Sequence, residues 1–294
     1  MKWNKILFCA AVLSFSLLPL SAHSQNLSDQ KSLLEAWNQP VKPFRIIGNI
    51  YYVGTNNLAC YLIATPGGHI LIDTAMQESS PIVRANIEAL GYKLKYVRII
   101  LSGHAHFDHV AGHADMKAAT GAHVYASAAD ATTLESGGAK GFFPLGTYKP
   151  VKVDRVIKDG EIVRLGSVAL KAHLTPGHTE GNTTWTTTVE ENGKKYDVVF
   201  VGSMSINDGV RLVNNPTWAG VADAYAKSFQ TLKSLRCDVF LGPHAPFFDM
   251  EAKVKRMNDD PKTNPFVDPE GYRNYVASFE KKYNEQLQRE RAGK

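Results

Sequence analysis

Apolar and β-branched residues in the first third of the chain fall in short runs divided by turn formers. Arg45 to Ile47, Ile50 to Val53, Tyr61 to Ala64 and Ile70 to Asp73 follow in quick succession, with Gly48-Asn49 and Pro66-Gly67-Gly68 between them. Runs of this length and spacing predict the strands of a meander. The period then changes: Ile82, Val83, Ile87 and Leu90 lie close to helical spacing from Pro81 onward, and Gly91 is a stop, so a surface helix is expected. Val97 to Leu101 reads as a buried strand running into Ser102-Gly103, where the chain enters a cluster of histidines.

The second half repeats this style without a detectable sequence repeat. Strands are expected near Glu161 to Leu165, Val168 to Leu174, Thr183 to Val189, Tyr196 to Val201 and Val239 to Leu241, with a helix from about Asp223 to Leu235. Asn258 to Pro269 holds three prolines and reads as an extended crossing, followed by an amphipathic terminal helix over Tyr272 to Leu287. Ala126 to Lys152 and Asn207 to Trp218 read as Gly-rich loops. Two strand-rich halves that each carry helices predict a layered α/β fold, its two sheets packed together with helices outside. No Pro/Ser-rich or charged linker separates the halves, so residues 44–294 form one domain behind a polar, mobile arm over residues 25–43.

Composition adds limits. The 294 residues are 44% hydrophobic, enough for a sizeable core. Residues 1–24 have the layout of a secretory signal: basic Lys2 and Lys5, an apolar stretch from Ile6 to Leu20, then small Ala22 and Ser24. Ser14, Ser16 and Pro19 interrupt that stretch and argue against an uncleaved anchor. Export to the periplasm or medium is therefore expected, with no membrane association after cleavage. Removing the two lysines takes the formal charge from +5 to about +3, too little and too scattered for a nucleic-acid partner. Cys60 and Cys237 would then face an oxidising compartment, and their pairing is left open.

The chemistry concentrates in His104-Ala105-His106-Phe107-Asp108-His109, four potential metal ligands within six residues. Neutral imidazoles and carboxylates suit zinc and similar divalent ions. Alternation puts His104 and His106 on one side of an extended segment, and a bend at Phe107 would turn Asp108 and His109 toward a second ion. The bland reading is a polar loop in which Asp108 caps a helix; four ligand types so closely spaced outweigh it. His178, in Thr175-Pro176-Gly177-His178-Thr179, and His244, after Leu241-Gly242-Pro243, each follow an apolar strand. His23, His69, His113, His123 and His173 are not expected to bind metal; His69 reads as part of a turn, and His113 could share a helix face with His109.

H-x-H-x-D-H, then P-G-H-T, then a late histidine after a strand resembles the ligand order of the metallo-β-lactamase superfamily, from about Pro43 to the last helix. The resemblance implies a four-layer αβ/βα sandwich and two Zn2+ ions per chain, one on His104, His106 and His178, the other on Asp108, His109 and His244. Many hydrolases of the superfamily, including thioesterases and lactonases, carry a metal-bridging aspartate where this chain has Ser203, and other β-lactamase subclasses carry a cysteine. A serine there resembles the third subclass of class B β-lactamases, as do Gly202-Ser203-Met204-Ser205 and Asn264-Pro265-Phe266-Val267-Asp268-Pro269. That likeness implies hydrolysis of the β-lactam amide by a dizinc-bound hydroxide oriented by Asp108, the catalytic residue. Ser205 would bind the substrate carboxylate, Ser203 would support a zinc-bound water, and the enzyme would act on small molecules as a monomer. Another secreted dizinc hydrolase of lactonase or esterase type, or a metal-binding protein without turnover, are the competing expectations.

Overall fold

Hydrogen bonding sorts the strands into two sheets. The computed structural model describes residues 31–293, so the signal expected at residues 1–24 lies outside the described residues. Residues 31–37 are helical where a polar arm was expected, and the larger of two compact units begins at Trp37. In that unit β1 (Phe44–Ile47), β2 (Ile50–Tyr52), β3 (Tyr61–Thr65) and β4 (Gly68–Ile72) form the expected antiparallel meander. β5 (Val97–Leu101), β6 (His123–Ser127) and β7 (Arg155–Ile157) then extend the sheet in parallel from β4, to seven strands in order β1 to β7. Every residue of β3 and β4 is buried, the continuous burial of strands covered on both faces.

The second sheet has the order β12-β11-β10-β9-β8. β8 (Ile162–Leu165), β9 (Val168–Leu174), β10 (Thr183–Glu191) and β11 (Lys194–Phe200) are antiparallel, and β12 (Val239–Leu241) joins β11 in parallel. The helices are α1 (Ser80–Ala89), α2 (Phe107–Val110), α3 (His113–Thr120), α4 (Ala128–Glu135), α5 (Val221–Ser234), α6 (Met250–Asp259) and α7 (Pro269–Arg291). Tyr61 and Leu101 from the first sheet and Trp185 and Phe200 from the second share one apolar core. Within it the Tyr61 ring stands edge-on to Phe200 at 5.2 Å, and its hydroxyl donates to the Gly242 carbonyl at 2.6 Å. On the far side of the second sheet α7 contributes Tyr275, whose ring lies 4.8 Å from Phe240 of β12. The architecture is the four-layer αβ/βα sandwich.

Further segments differ from the sequence-based expectation. The stretch read as a loop from Ala126 holds α4, started by the Ser127 hydroxyl accepting from the Asp130 backbone N–H at 3.3 Å. Its apolar residues lack a clean period, so only the cap signalled it. α6 was not anticipated; it has a strongly polar surface and buries Lys253, whose ammonium pairs with Asp268 at 2.8 Å. That carboxylate also accepts from the Gly271 N–H, so α7 starts at Pro269, three residues before the expected Tyr272.

The ends of β5 and β11 meet at Gly103 and Gly202. A Cβ on Gly202 would stand 2.5 Å from Asn182 Oδ1, 2.7 Å from the Thr183 carbonyl and 2.8 Å from the Gly103 carbonyl. Gly202→Ala should therefore force strand ends apart and lower the unfolding free energy by about 1–3 kcal/mol. A reduced urea midpoint with an unchanged slope checks this; an unchanged midpoint would mean that the strand ends yield.

Candidate metal centre

The histidine loop is pinned to both sheets before it reaches its first imidazole. The Ser102 carbonyl accepts from the Trp185 indole at 3.0 Å, and the Gly103 N–H donates to Asp73 Oδ1 at 2.8 Å. The Gly103 carbonyl in turn accepts from the Thr183 N–H at 2.8 Å. His106 is still extended (φ −82°, ψ 152°) and caps α2, so the chain bends at Phe107 and brings Asp108 and His109 round. Asp108 lies inside the first turn of that helix and does not cap it. Asp73 and Ala75, after β4, adopt left-handed backbone (φ 60° and 58°) that no glycine eases; the Thr74 N–H between them donates to the His109 carbonyl at 2.9 Å.

His178 follows β9 through Gly177, whose φ of +151° and position against the Tyr225 ring leave no room for a Cβ. His244 follows β12 and is held to the loop after β2: Ala59 N–H donates to the Pro243 carbonyl and Ala245 N–H to the Asn57 carbonyl.

These four origins converge. His106 Nδ1 lies 3.0 Å from His178 Nε2, and His109 Nε2 lies 3.3 Å from His244 Nε2. Asp108 Oδ2 is 3.2 Å from His109 Nε2 and 3.6 Å from His244 Nε2. Ligand atoms of His104, His106 and His178 all lie within 4.8 Å of one another, as do those of His104, Asp108 and His109. His104 thus stands within reach of both sets.

The outward ring nitrogens show which lone pairs face inward. His104 Nδ1 donates to the Gly202 carbonyl at 3.2 Å, His178 Nδ1 to the Ser205 carbonyl at 2.7 Å, and His244 Nδ1 to Asn57 Oδ1 at 2.7 Å. An oxygen acceptor on Nδ1 fixes the tautomer and leaves the Nε2 lone pair free for a metal. Burial, reinforced by neighbouring imidazoles, keeps His104 and His106 well below the ordinary histidine pKa, and burial lowers His178 to about 4 and His244 to about 3. Burial alone would raise Asp108 and lower His109; their close contact reverses both, holding the carboxyl well below its usual range and raising the imidazole. Asp108 Oδ1 is buried without a hydrogen-bond partner, which is costly for a polar group unless something else satisfies it. Neutral imidazoles, one ionised carboxylate and an orphaned acceptor atom at such spacing fit a pair of borderline cations such as zinc.

The family model for the metallo-beta-lactamase superfamily matches residues 53–244, a span that includes all six of these side chains. The chain belongs to that superfamily. Among solved structures it is similar to the native FEZ-1 metallo-beta-lactamase from Legionella gormanii, with 42% identity, a TM-score of 0.84, and coverage of 86% of this chain and 97% of that one. It is likewise similar to BJP-1, a subclass B3 metallo-beta-lactamase of Bradyrhizobium japonicum, with 40% identity, a TM-score of 0.81, and coverage of 87% and 97%. A curated relative, the hydroxyacylglutathione hydrolase of Methylococcus capsulatus, is 32% identical over 122 residues, 42% of this chain and 40% of that protein. The chain thus spans about two-fifths of the length of that relative.

Both serines expected at the substrate end lie beside His178. Ser203 is buried, its hydroxyl 3.2 Å from that of Ser205, and the Ser205 hydroxyl is 3.2 Å from His178 Nδ1. Of the other histidines, His69 lies on β4 rather than in a turn, against the Tyr92 ring at 4.8 Å. His113 opens α3 and bridges Thr74 Oγ1 (2.7 Å) and Ser102 Oγ (3.0 Å), away from the cluster. Cys60 and Cys237 are both free. Sequence reasoning missed the supports. Asn57 orients His244, and Trp37 stands edge-on to that imidazole at 5.4 Å. Asp130, pushed up to about 7 by burial, accepts from Thr179 Oγ1 at 3.2 Å. Only Asp73, an acid ending an apolar strand, carried a readable signal.

The buried charges set a pH response. Burial keeps His104, His106, His113, His178 and His244 neutral, with pKa values below the ordinary one, whereas Asp73 and Asp130 are pushed up to about 7. Below about pH 6.5 the unfolded chain binds protons that the folded histidines refuse, which lowers stability as pH falls; the two aspartates act oppositely between about 7 and 4. His69 and His173 are lowered as well, so seven histidines oppose the two aspartates and His109, whose raised imidazole favours the folded form as pH falls. Metal-stripped protein should therefore lose stability from about pH 6.5 toward 4, as urea unfolding across that range will test; a level or rising free energy would contradict the neutral cluster.

Proposed function

We propose that this protein is a secreted two-zinc hydrolase that opens the amide of β-lactam antibiotics. The observation that carries this reading is the identity of the residue three positions beyond β11: Ser203, not a carboxylate, stands there beside an otherwise complete set of six ligand-type side chains. The similarity to subclass B3 enzymes over most of the chain supports it. The basic, apolar and small-residue layout of residues 1–24 supports export to the periplasm or medium. Among the described residues no helix is long and apolar enough to cross a membrane. Small β-lactams would meet the enzyme there as a monomer.

His104, His106 and His178 would hold one zinc, and Asp108, His109 and His244 the other. Bound there, the ions supply a Lewis acid for the carbonyl oxygen and acidify water near neutral pH. The protein's own groups do the rest. Gly202, Ser205 and Asn57 keep three imidazoles in the ligating tautomer. Asp108 is held ionised, so it is a poor proton acceptor at neutral pH and acts by ligation and by orienting the attacking water through Oδ1. Water adds to the carbonyl carbon, the C–N bond breaks, and the nitrogen takes up the water's proton. Ser205 would donate to the carboxylate of the substrate, and Ser203 would support it through the contact between their hydroxyls.

A second reading, hydrolysis of a hydroxyacylglutathione thioester, is favoured by the curated relatives, although those matches reach less than half of either chain. Turnover of a chromogenic cephalosporin, abolished by a chelator and restored by zinc, with little activity on a hydroxyacylglutathione, is the expected outcome. The reverse preference would overturn the β-lactam reading. His178→Ala and Asp108→Ala should both abolish turnover and release zinc; near-wild-type rates in Asp108→Ala would refute its role. Ser203→Ala should keep both ions and lose activity only about 10–100-fold, as for lost outer supports; loss of an ion would make the serine a ligand.

A further inference from the structure

The chain from Val201 to Gly220 has no regular structure, so its buried backbone groups need partners from elsewhere. α7 supplies them. Glu290 Oε2 accepts from the Leu212 N–H at 2.8 Å and the Val213 N–H at 2.7 Å. Glu290 Oε1 accepts from Gln286 Nε2 at 2.8 Å, and the same amide nitrogen donates to the Val210 carbonyl at 2.8 Å. One turn of helix thus presents a donor and a double acceptor to three nearby residues of a single loop.

The clamped segment continues to the site in both directions. Toward the N-terminus, the Ser205 carbonyl accepts from His178 Nδ1 and from the Tyr225 hydroxyl, each at 2.7 Å. Toward the C-terminus, Asn215 Oδ1 accepts from the N–H groups of Thr217 and Trp218, both at 3.0 Å, which fixes a tight turn. Trp218 then stands edge-on to Phe142, ring centroids 5.0 Å apart at 81°. Phe142 lines a cavity shared with His106 and Phe107. An unbroken series of contacts therefore joins the last turns of α7, the 206–218 loop, the Trp218–Phe142 pair and the wall beside His106.

We propose that Glu290 and Gln286 are positioning residues for catalysis: from outside the cluster, they set the course of the 206–218 loop and so the aromatic rim against which substrate packs. This rests on the hydrolase reading, in which that loop forms one wall of the substrate cleft. Loosening the clamp should weaken substrate binding while leaving the ions and the chemical step in place.

The test compares Glu290→Ala, which removes the acceptor, with Glu290→Gln, which keeps one, in the zinc-loaded enzyme. In Glu290→Ala the Leu212 and Val213 amides should exchange with solvent about tenfold faster or more, the loss expected for hydrogen bonds to a charged group. KM for a bulky cephalosporin should rise about five- to tenfold, with kcat and zinc content within about twofold of wild type. Glu290→Gln should recover most of both effects. Unchanged exchange at Leu212 and Val213 would overturn the clamp, and so would a fall in kcat at constant KM or a lowered unfolding midpoint with equal losses on every substrate. If the wild-type protein failed to hydrolyse β-lactams, the exchange measurement would still decide the clamp on its own, so the two failures are distinguishable.

Discussion

The centre depends on one constraint: the ends of β5 and β11 approach until Gly103 and Gly202 face each other with no side chain between them. That contact lets the Gly202 carbonyl receive His104 Nδ1 and the Gly103 carbonyl receive the Thr183 N–H, so residues from opposite sheets orient one imidazole. Trp185, buried in the core, reaches across to the Ser102 carbonyl and ties the same junction. The sandwich thus does more than bury apolar surface. Its two sheets deliver separate strand ends to one point.

Gathering five imidazoles and a carboxylate in a buried space is electrostatically unfavourable unless the imidazoles stay neutral. Burial enforces this for four of them, and the Asp108 contact makes His109 the exception. Acceptors drawn from distant segments, at Gly202, Ser205 and Asn57, then choose the tautomers. The backbone follows the same priority: Asp73 and Ala75 take left-handed conformations that cost about 1–3 kcal/mol each, tolerated where surrounding contacts over-determine them. The protein's own hydrogen bonds thus fix the ring orientations.

Much of the fold could be read from local pattern, because short apolar runs such as Tyr61 to Ala64 and the helical spacing after Pro81 leave a signature within a few residues. α4 and α6 escaped that reading. α4 lacks a clean apolar stripe, and α6 carries only a short one, Met250, Val254 and Met257, set among charged residues, its position fixed by a buried ion pair with a residue beyond its own end. His69 illustrates the same limit, since the turn formers beside it suggested a loop while pairing with β3 and β5 drew it into the sheet.

The sequence by itself determined the ligand-type side chains, their spacing and the elements that end beside them, because four such side chains in six residues and a histidine after each of two apolar strands are local facts. Tertiary structure alone decided how those side chains are held. Asn57 lies 187 residues from His244, Asp73 30 from Gly103, and Glu290 78 from Leu212. No local period encodes such pairings. The Asp73 contact follows from the parallel pairing of β4 with β5, the Asn57 contact from the approach of the two sheets, and the Glu290 contact from α7 folding back, each bringing groups far apart in the chain within hydrogen-bond distance.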